Sequence, residues 1–527
     1  MAETKRYITK EELEKHNTAG DLWISIQGKI YNVTYWANDH PGGQLPLLSL
    51  AGQDVTDAFV AYHPGTAWKY LDKFFTGFYL KDYTVSEVSE DFRKLAAEFS
   101  KSGLFEKKGH VVFVTLCVIV MMFGLSVYGV LCSDSRSVRL VCGALMGLMW
   151  IQSGWIGHDS GHYQVMSSRG FNCLVQILSG NCLAGVGIGW WKCNHNAHHI
   201  ACNSLDYDPD LQHMPFFAVS SKFFSSITSC FYDRKLNFDS ASRFLVSYQH
   251  WTFYPVMCLA RINLFAQSFL ILLSKKKLAT NRGLEFLGLV VFWIWYPLLV
   301  SCLPSWGERI MFVVASFSVT GIQHVQFCLN HFSSSVYVGP PSGNNWFEKQ
   351  TEGTLNISCS PWMDWFHGGL QFQVEHHLFP RLPRCQLRRV SPFIRELCKK
   401  HNLPYNMVTS LSIQATGIPA ILQILTTMKR PACAACKNQR RKCDEDCFVA
   451  PYFPAEKTRD FEAVHKLFGL HNIVNLLQNL PLEKRSDAVI SMVYEANARV
   501  RDPVTGCTRE RNQVMALNGC WVHQFHS

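Results

Sequence analysis

The sequence predicts a multi-domain chain with parts of three fold classes: a small α+β N-terminal domain, an all-α integral membrane domain of four spans, and a small α-helical C-terminal module. Three observations carry this reading. The chain has 527 residues, more than one domain ordinarily holds. Hydrophobic residues make up 48% and charged residues only 17%, short of the quarter usual in soluble proteins, so a membrane-embedded part is diluted by soluble ones. Apolar stretches at 111–132, 138–156, 284–303 and 310–330 are each close to the ~20 residues that cross a hydrocarbon core of about 30 Å. Very short links, 133–137 and the Pro-Ser-Trp-Gly at 304–307, join them in pairs, so each pair is a hairpin returning the chain to the side it left.

The first residues, Met1 to Asn17, are charged and lack an apolar core, so no secretory signal peptide is expected. The net charge of +10 reads as lysine and arginine flanking membrane spans rather than as a nucleic-acid footprint for most of the chain. Basic clusters mark the cytoplasmic side. Lys101, Lys107 and Lys108 precede the first span, Lys275, Lys276 and Lys277 the third, and further arginines lie between Arg381 and Arg389. All then lie on one side, with the N-terminal domain and the histidine clusters described below. Two other apolar stretches, near 171–191 and 253–273, are interrupted by polar residues and read as interfacial or partly buried helices. The 20 cysteines are scattered, several inside apolar runs, which argues for reduced thiols rather than a disulfide scaffold.

Residues 7–83 look soluble and compact. They hold His40-Pro41-Gly42-Gly43 and, further on, His63 within Ala-Tyr-His-Pro-Gly. Haem iron in an electron carrier needs two axial imidazoles from opposite sides of a cleft, and the Pro-Gly-Gly after His40 lets the backbone turn tightly enough to aim that ring inward. Leu22 to Ile26 reads as an early strand, with Ala51 to Thr56 between the two histidines. The region resembles cytochrome b5. The resemblance implies haem b with His40 and His63 as axial ligands, and with both axial positions filled such an iron exchanges electrons instead of binding oxygen.

Three histidine clusters follow: His158-Asp-Ser-Gly-His162, His195-Asn-Ala-His198-His199 and Gln373-Val-Glu-His376-His377. Imidazole is a common ligand of first-row metals. Residues four apart share a helix face, so His158 and His162 can reach one metal, and His195, His198 and His199 repeat the device at three-four spacing. Each cluster lies beside or just beyond an apolar stretch. Residues 84–406 resemble the membrane fatty-acyl and sphingolipid desaturases that carry a fused cytochrome b5, a likeness covering about 7–406 with the haem domain included. It implies a di-iron site that activates O2 to remove two hydrogens from adjacent carbons, a demanding step because an alkane C–H bond resists acids and bases. It also implies electron supply by an NADH–cytochrome b5 reductase, and a multi-pass endoplasmic reticulum membrane protein with both termini cytosolic. Tethering raises the carrier's effective concentration to the order of millimolar.

Carried over by motif, the implied iron ligands are His158, His162, His195, His198, His199, His376 and His377, with His331 of Cys-Leu-Asn330-His331 added. His324 is expected to pack within its helix, as a runner-up ligand. Gln373 stands where many desaturases carry histidine, an exchange characteristic of the front-end group; it ligates through its amide oxygen or holds a water. Asp159 and Glu375 are expected to orient imidazoles. Within that group the likeness runs to the plant sphingolipid long-chain-base delta-8 desaturases, on Trp190-Trp191-Lys192, the stretch His199 to Asp210, Val338 to Pro341, Asn345 to Glu348, and Phe366 to Phe372. The implied substrate is the sphingoid base of ceramide or phytosphingosine in the bilayer, with a delta-6 acyl-lipid desaturase as the alternative.

After Leu403-Pro404-Tyr405 this pattern fades, and 407–427 reads as a linker. From Met428 a different module begins. Cys433, Cys436, Cys443 and Cys447 form C-x2-C-x6-C-x3-C, a set suited to tetrahedral zinc. Lys437, Arg440, Arg441 and Lys442 between them could contact DNA phosphates. With Ala450 to Pro454, Val464 to Lys466, Tyr494 to Ala496 and Arg501 to Val504, residues 428–507 resemble the plant LOB (lateral organ boundaries) domain transcription factors. Gly469-Leu470-His471 alters that family's Gly-Ala-Ser block, and its leucine-zipper-like repeat after Cys507 is missing, which weighs against dimerisation and tight DNA binding. Residues 508–527 read as a tail, the Cys520 to His526 stretch included. The two identities on one chain read either as neighbouring genes joined at Met428 or as a membrane-tethered DNA-binding factor freed by proteolysis.

Overall fold

The computed structural model describes residues 5–107, 109–274, 281–409, 432–441, 443 and 447–502. Lys108, Lys275 to Lys277, most of the 407–427 linker, Met428, Lys442, Cys507 and the 508–527 tail lie outside the described residues. The chain divides into two compact units between Leu425 and Thr426.

The first unit opens with a five-stranded sheet in the order Arg6–Ile8, Phe75–Leu80, Lys29–Asn32, Asp21–Ile26, Asn17–Thr18. Strand Asp21–Ile26 alternates enough to bury Leu22, Ile24 and Ile26 against helix Thr56–Tyr62. His40 and His63 stand where elements end, after the short helical turn Ala37–Asp39 and after Thr56–Tyr62. A Cβ on Gly42 would meet the His40 ring at 2.8 Å, so that turn requires glycine. Helix Glu87–Lys101 is fastened to this domain by Arg93, which donates to the buried Asp57 carboxylate at 2.6 Å.

Five helices among the described residues are long and apolar enough to cross a membrane: 111–132, Arg136–Gly161, Gln249–Leu273, Arg282–Ser301 and Trp306–Phe332. A sixth arises if the bent pair Arg169–Leu183 and Ile188–Ile200, which turn 111° from each other, counts as one span. The sequence predicts four spans and reads the remaining helix, Gln249–Leu273, as interfacial or partly buried, although its length and composition would also let it cross. Of its polar residues, Arg261 and Ser268 face protein, while Asn263 is exposed. Arg261 is buried with its guanidinium 4.0 Å from the Trp150 ring, and it donates to the Ala184 carbonyl. Ser268 accepts from the Gly187 amide at 2.8 Å. A polar side chain satisfied inside the bundle does not disqualify a span.

Arg136–Gly161 and Trp306–Phe332 run side by side in the same direction. Arg139 donates to Glu308 at 2.7 Å at one end. Gly143 and Gly147 then let the backbones close: a Cβ would lie 2.8 Å from the Phe312 carbonyl oxygen and 2.4 Å from that of Ser316. At 1.5 Å per residue, 19 positions beyond Arg139 the helix has risen about 29 Å and carries His158. Its neighbour carries His331 to the same end.

The second unit places helices Ala434–Asn438, Thr458–Phe468, Leu470–Gln478 and Leu482–Arg501 around Phe453, Phe461, Val464, Ile473 and Leu477.

Candidate metal centres

Four segments of the first unit converge on one cluster. His158 closes helix Arg136–Gly161 and His162 caps it; His195, His198 and His199 share helix Ile188–Ile200; His331 ends Trp306–Phe332; His376 and His377 lie on the short helix Gln373–Leu378. All eight histidines named in the sequence reading are brought together, and two groupings emerge. In the first, ligating atoms of His158, His162, His195 and His376 all lie within 4.8 Å of one another. In the second the same holds for His198, Cys202, His331 and His377. His199 sits between them, its ring stacked on His377 at 4.2 Å and its Nε2 3.0 Å from that of His195 and 3.1 Å from that of His376.

These distances are those of a chelating set. Two nitrogens about 2.1 Å from one metal, at roughly right angles, stand about 3 Å apart, and the His162 and His195 Nε2 atoms are 2.9 Å apart. Ligation needs neutral rings with a free lone pair. Burial, with the neighbouring imidazoles behind it, holds His376 and His377 well below the usual histidine range. The Nδ1 positions are committed elsewhere: His198 to Asp208 at 2.9 Å, His377 to the Gln350 side-chain oxygen at 2.8 Å, His331 to the Gly353 carbonyl at 3.0 Å. Those contacts fix each tautomer and turn Nε2 toward the cluster. Buried nitrogens without a protein partner remain at His158 and His377 Nε2. The donor set fits iron.

Asp208, Gln350 and Cys202 escaped the sequence reading. Asp208 lies in the stretch His199 to Asp210 named there, but only the fold shows which carboxylate meets an imidazole. Asp159 does lie beside His158, at 3.4 Å, and also accepts from Arg384 at 2.5 Å. Glu375 corrects its expectation: it takes hydrogen bonds from Tyr405 at 2.5 Å and Asn356 at 2.8 Å and orients no imidazole. On a short helix, consecutive residues point different ways, so Glu375 faces away from the side shown by its histidine neighbours. His324 stands apart, its Nδ1 3.0 Å from the Met257 carbonyl. Gln373 sets its amide nitrogen 3.0 Å from His331 Nε2 and its oxygen on Asn330 at 2.9 Å.

In the N-terminal domain the His40 and His63 rings lie 6.0 Å apart. An iron bonded to both at about 2 Å, plus two ring radii, puts the centroids about 6 Å apart. Their Nδ1 atoms contact the Gly43 carbonyl at 2.8 Å and the Phe59 carbonyl at 3.2 Å, leaving each Nε2 for the metal. Burial lowers His40 below the usual range; burial and then His40 bring His63 down to about 3, so both rings are neutral. In the second unit the Cys447 Sγ lies 3.7 Å from those of Cys433 and Cys436, and Cys443 completes the group. Thiolates about 2.3 Å from a tetrahedral zinc stand about 3.8 Å apart.

Comparison with known proteins agrees with this geometry. Residues 136–409 match the fatty acid desaturase family, 9–80 the cytochrome b5-like heme/steroid binding domain, and 432–518 the lateral organ boundaries (LOB) domain. Over 405 residues the chain is 68% identical to the acyl-lipid (9-3)-desaturase of Borago officinalis, covering 77% of this chain and 90% of that protein. It is 64% identical to delta(8)-fatty-acid desaturase 1 of Arabidopsis thaliana, with the same coverage. A delta 8-(E)-sphingolipid desaturase of Emericella nidulans is 36% identical over 334 residues, covering 62% of this chain and 60% of that protein. The cytochrome b5 domain brings haem and the desaturase domain brings iron. The chain belongs to the fatty acid desaturase family and is an oxygen-dependent oxidoreductase with its electron carrier built in.

Proposed function

We propose that this chain is a delta-8 desaturase of the sphingoid base of ceramide or phytosphingosine, working in the endoplasmic reticulum membrane with both termini cytosolic. The observation that carries the chemistry is the pair of adjoining buried imidazole groups. His158, His162, His195, His199 and His376 would hold one iron, and His198, His331 and His377 the other. Bound iron supplies, with O2, the oxidising power that an unactivated C–H bond requires. The chain's own residues do the rest. Asp208, Gln350 and the Gly353 carbonyl keep a proton on the outward nitrogen of His198, His377 and His331. Gln373, bonded to Asn330, closes the second group beside His331. Burial of these side chains, His195 alone being half-buried, keeps bulk water from the reacting centre. Electrons would enter through the haem held by His40 and His63, from an NADH–cytochrome b5 reductase.

Relatives named for delta-8 activity in three plants, at 62–64% identity, support the regiochemistry, and fungal relatives named for sphingolipids support the substrate. The 68% identity to an acyl-lipid desaturase favours a second reading, an acyl-lipid front-end desaturase. Expression of the full chain in a host that lacks both products separates them. Unsaturated long-chain bases are expected; unsaturation confined to acyl lipids would establish the second reading.

For the C-terminal module we propose a zinc ion on Cys433, Cys436, Cys443 and Cys447, with DNA as its partner only once the module is cut from the membrane. Tryptic peptides spanning Ile424 to Cys433 from natural tissue would show that enzyme and module are made as one polypeptide; their absence would leave two separate proteins.

A further inference from the structure

We infer that Tyr62 couples the haem pocket to the iron centre, passing electrons from the His63 side to His199, with Asn196 and Arg381 as positioning residues that fix the two domains in register. This rests on the desaturase reading above.

Three hydrogen bonds join the N-terminal domain to the histidine cluster, and each links a haem-ligand segment to an iron-ligand segment. The Tyr62 hydroxyl donates to the His199 carbonyl at 3.0 Å, and Tyr62 is covalently next to His63. The Asn196 amide, next to His195, donates to the Gly42 carbonyl at 3.0 Å, two residues beyond His40. Arg381, four residues beyond His377, donates to the carbonyl of His63 itself at 2.5 Å. Lys107 in turn donates to the Arg381 carbonyl at 2.8 Å, so the segment before the first span supports the arginine. The Tyr62 ring stands edge-on to both the His199 and the Trp346 rings, with centroids 6.0 Å away in each case.

Ordinary packing between domains would scatter its polar contacts over the interface. Here the Gln53 side chain does bond the Pro341 carbonyl at 3.2 Å and the Gly343 amide at 2.9 Å, away from both sites, but the three bonds above fall on the ligands or on their near neighbours in sequence. A tether alone raises local concentration but leaves the donor free to wander. These bonds fix it, and Tyr62 is the side chain that touches an iron-ligand residue while its backbone continues into a haem ligand. Each transfer takes one electron from ferrous haem, which becomes ferric, and delivers it to the iron centre. Two transfers, two protons from solvent and two hydrogen atoms from the lipid reduce one O2 to two waters and leave one new double bond.

The test uses the full-length protein. Its haem is reduced anaerobically with NADH and a flavoprotein reductase, then mixed with O2 and ceramide while haem re-oxidation is followed by absorbance. Tyr62→Ala is expected to slow re-oxidation by up to about a hundredfold, the scale of effect that a displaced reacting group produces. The haem spectrum, its midpoint potential and its rate of reduction should be unchanged. Product formed in a single turnover after chemical reduction of the iron centre should be unchanged too. Tyr62→Phe, which keeps the ring, should slow re-oxidation less. Re-oxidation at the wild-type rate in Tyr62→Ala overturns the inference. So does a shifted haem potential, or an equal loss of the chemically driven turnover, since either would make Tyr62 merely structural. Should Tyr62→Ala fail to fold, Asn196→Ala decides: slowed re-oxidation with an unaltered haem supports the coupling, and an unaltered rate refutes it. Wild-type haem that O2 and lipid together do not re-oxidise would instead defeat the desaturase reading.

Discussion

The histidine cluster and the cysteine cluster solve the same problem by opposite means. The four thiols come from one stretch, its outermost pair 14 positions apart, and Cys443 and Cys447 stay half-buried. The imidazoles come from segments as distant as His199 and His376, 177 positions apart, and meet in the interior. A local chelate has little fold of its own, so metal and fold stand or fall together. A chelate assembled by long helices inherits its geometry from packing that exists without the metal. The difference teaches what one lost ligand costs in each: metal and fold together at the cysteines, metal and activity alone at the histidines.

The sharpest way to break this comparison is to remove a ligand from each. His198→Ala should bring unsaturated product below detection and lower non-haem iron, while haem absorbance and membrane insertion persist. A protein that no longer inserts would show that the bundle depends on its metal after all. Cys436→Ser should strip zinc from the second unit and melt its helices. Structural zinc contributes an apparent 10 kcal/mol or more in small zinc modules, far beyond the stability of so small a core. Desaturation by the same protein should not change, and circular dichroism of the released module alongside a lipid assay of the whole chain reads both halves. A smaller loss follows from Asp208→Asn. The carboxylate that holds the His198 Nδ1 proton is replaced by an amide of the same shape, and outer partners of this kind are worth about 10–100-fold in metal affinity or activity. Iron content titrated against a chelator measures it. A change below twofold would mean that Asp208 only packs.

Much of this architecture was legible in the chain, for physical reasons that also mark the limit. The thiol spacing announces its site because the fold adds little to it. The histidine clusters announce residue types and, for His158 with His162 and for His195 with His198 and His199, a shared helix face, while His331, His376 and His377 enter the set through the family resemblance. Pairing does not: that His198 groups with His331 and His377, rather than with His195 one turn earlier, follows from the parallel course of Arg136–Gly161 and Trp306–Phe332, fixed by Gly143 and Gly147. The fifth long apolar helix reads in the sequence as interfacial or partly buried because polar residues interrupt it, and the structure shows one of them, Arg261, covered by Trp150 and the Ala184 carbonyl. Glu375 misled for a related reason. An acid beside two ligating histidines invites a role in their orientation, and only the approach of Tyr405 and Asn356 from outside the cluster shows where its side chain points.

Glu375 also supplies the finest test of the contrast between ligand and scaffold. Tyr405→Phe keeps the ring and deletes a hydroxyl that contacts Glu375 at 2.5 Å, Ser391 at 2.8 Å and Asn356 at 3.0 Å. Asn356 accepts in turn from the Val374 amide at 2.9 Å, two residues before His376. The network therefore holds the short helix that carries two ligands without touching either. A buried carboxylic group that loses one donor costs about 1–3 kcal/mol, to be read as a lower midpoint of thermal unfolding of the membrane domain. Iron content at saturation and the shape of the haem band should stay as in the wild type, because no imidazole loses its own partner. If iron affinity instead falls as far as in Asp208→Asn, the boundary between the groups that tune the metal and those that merely hold the helix lies further out than the direct contacts to the imidazoles.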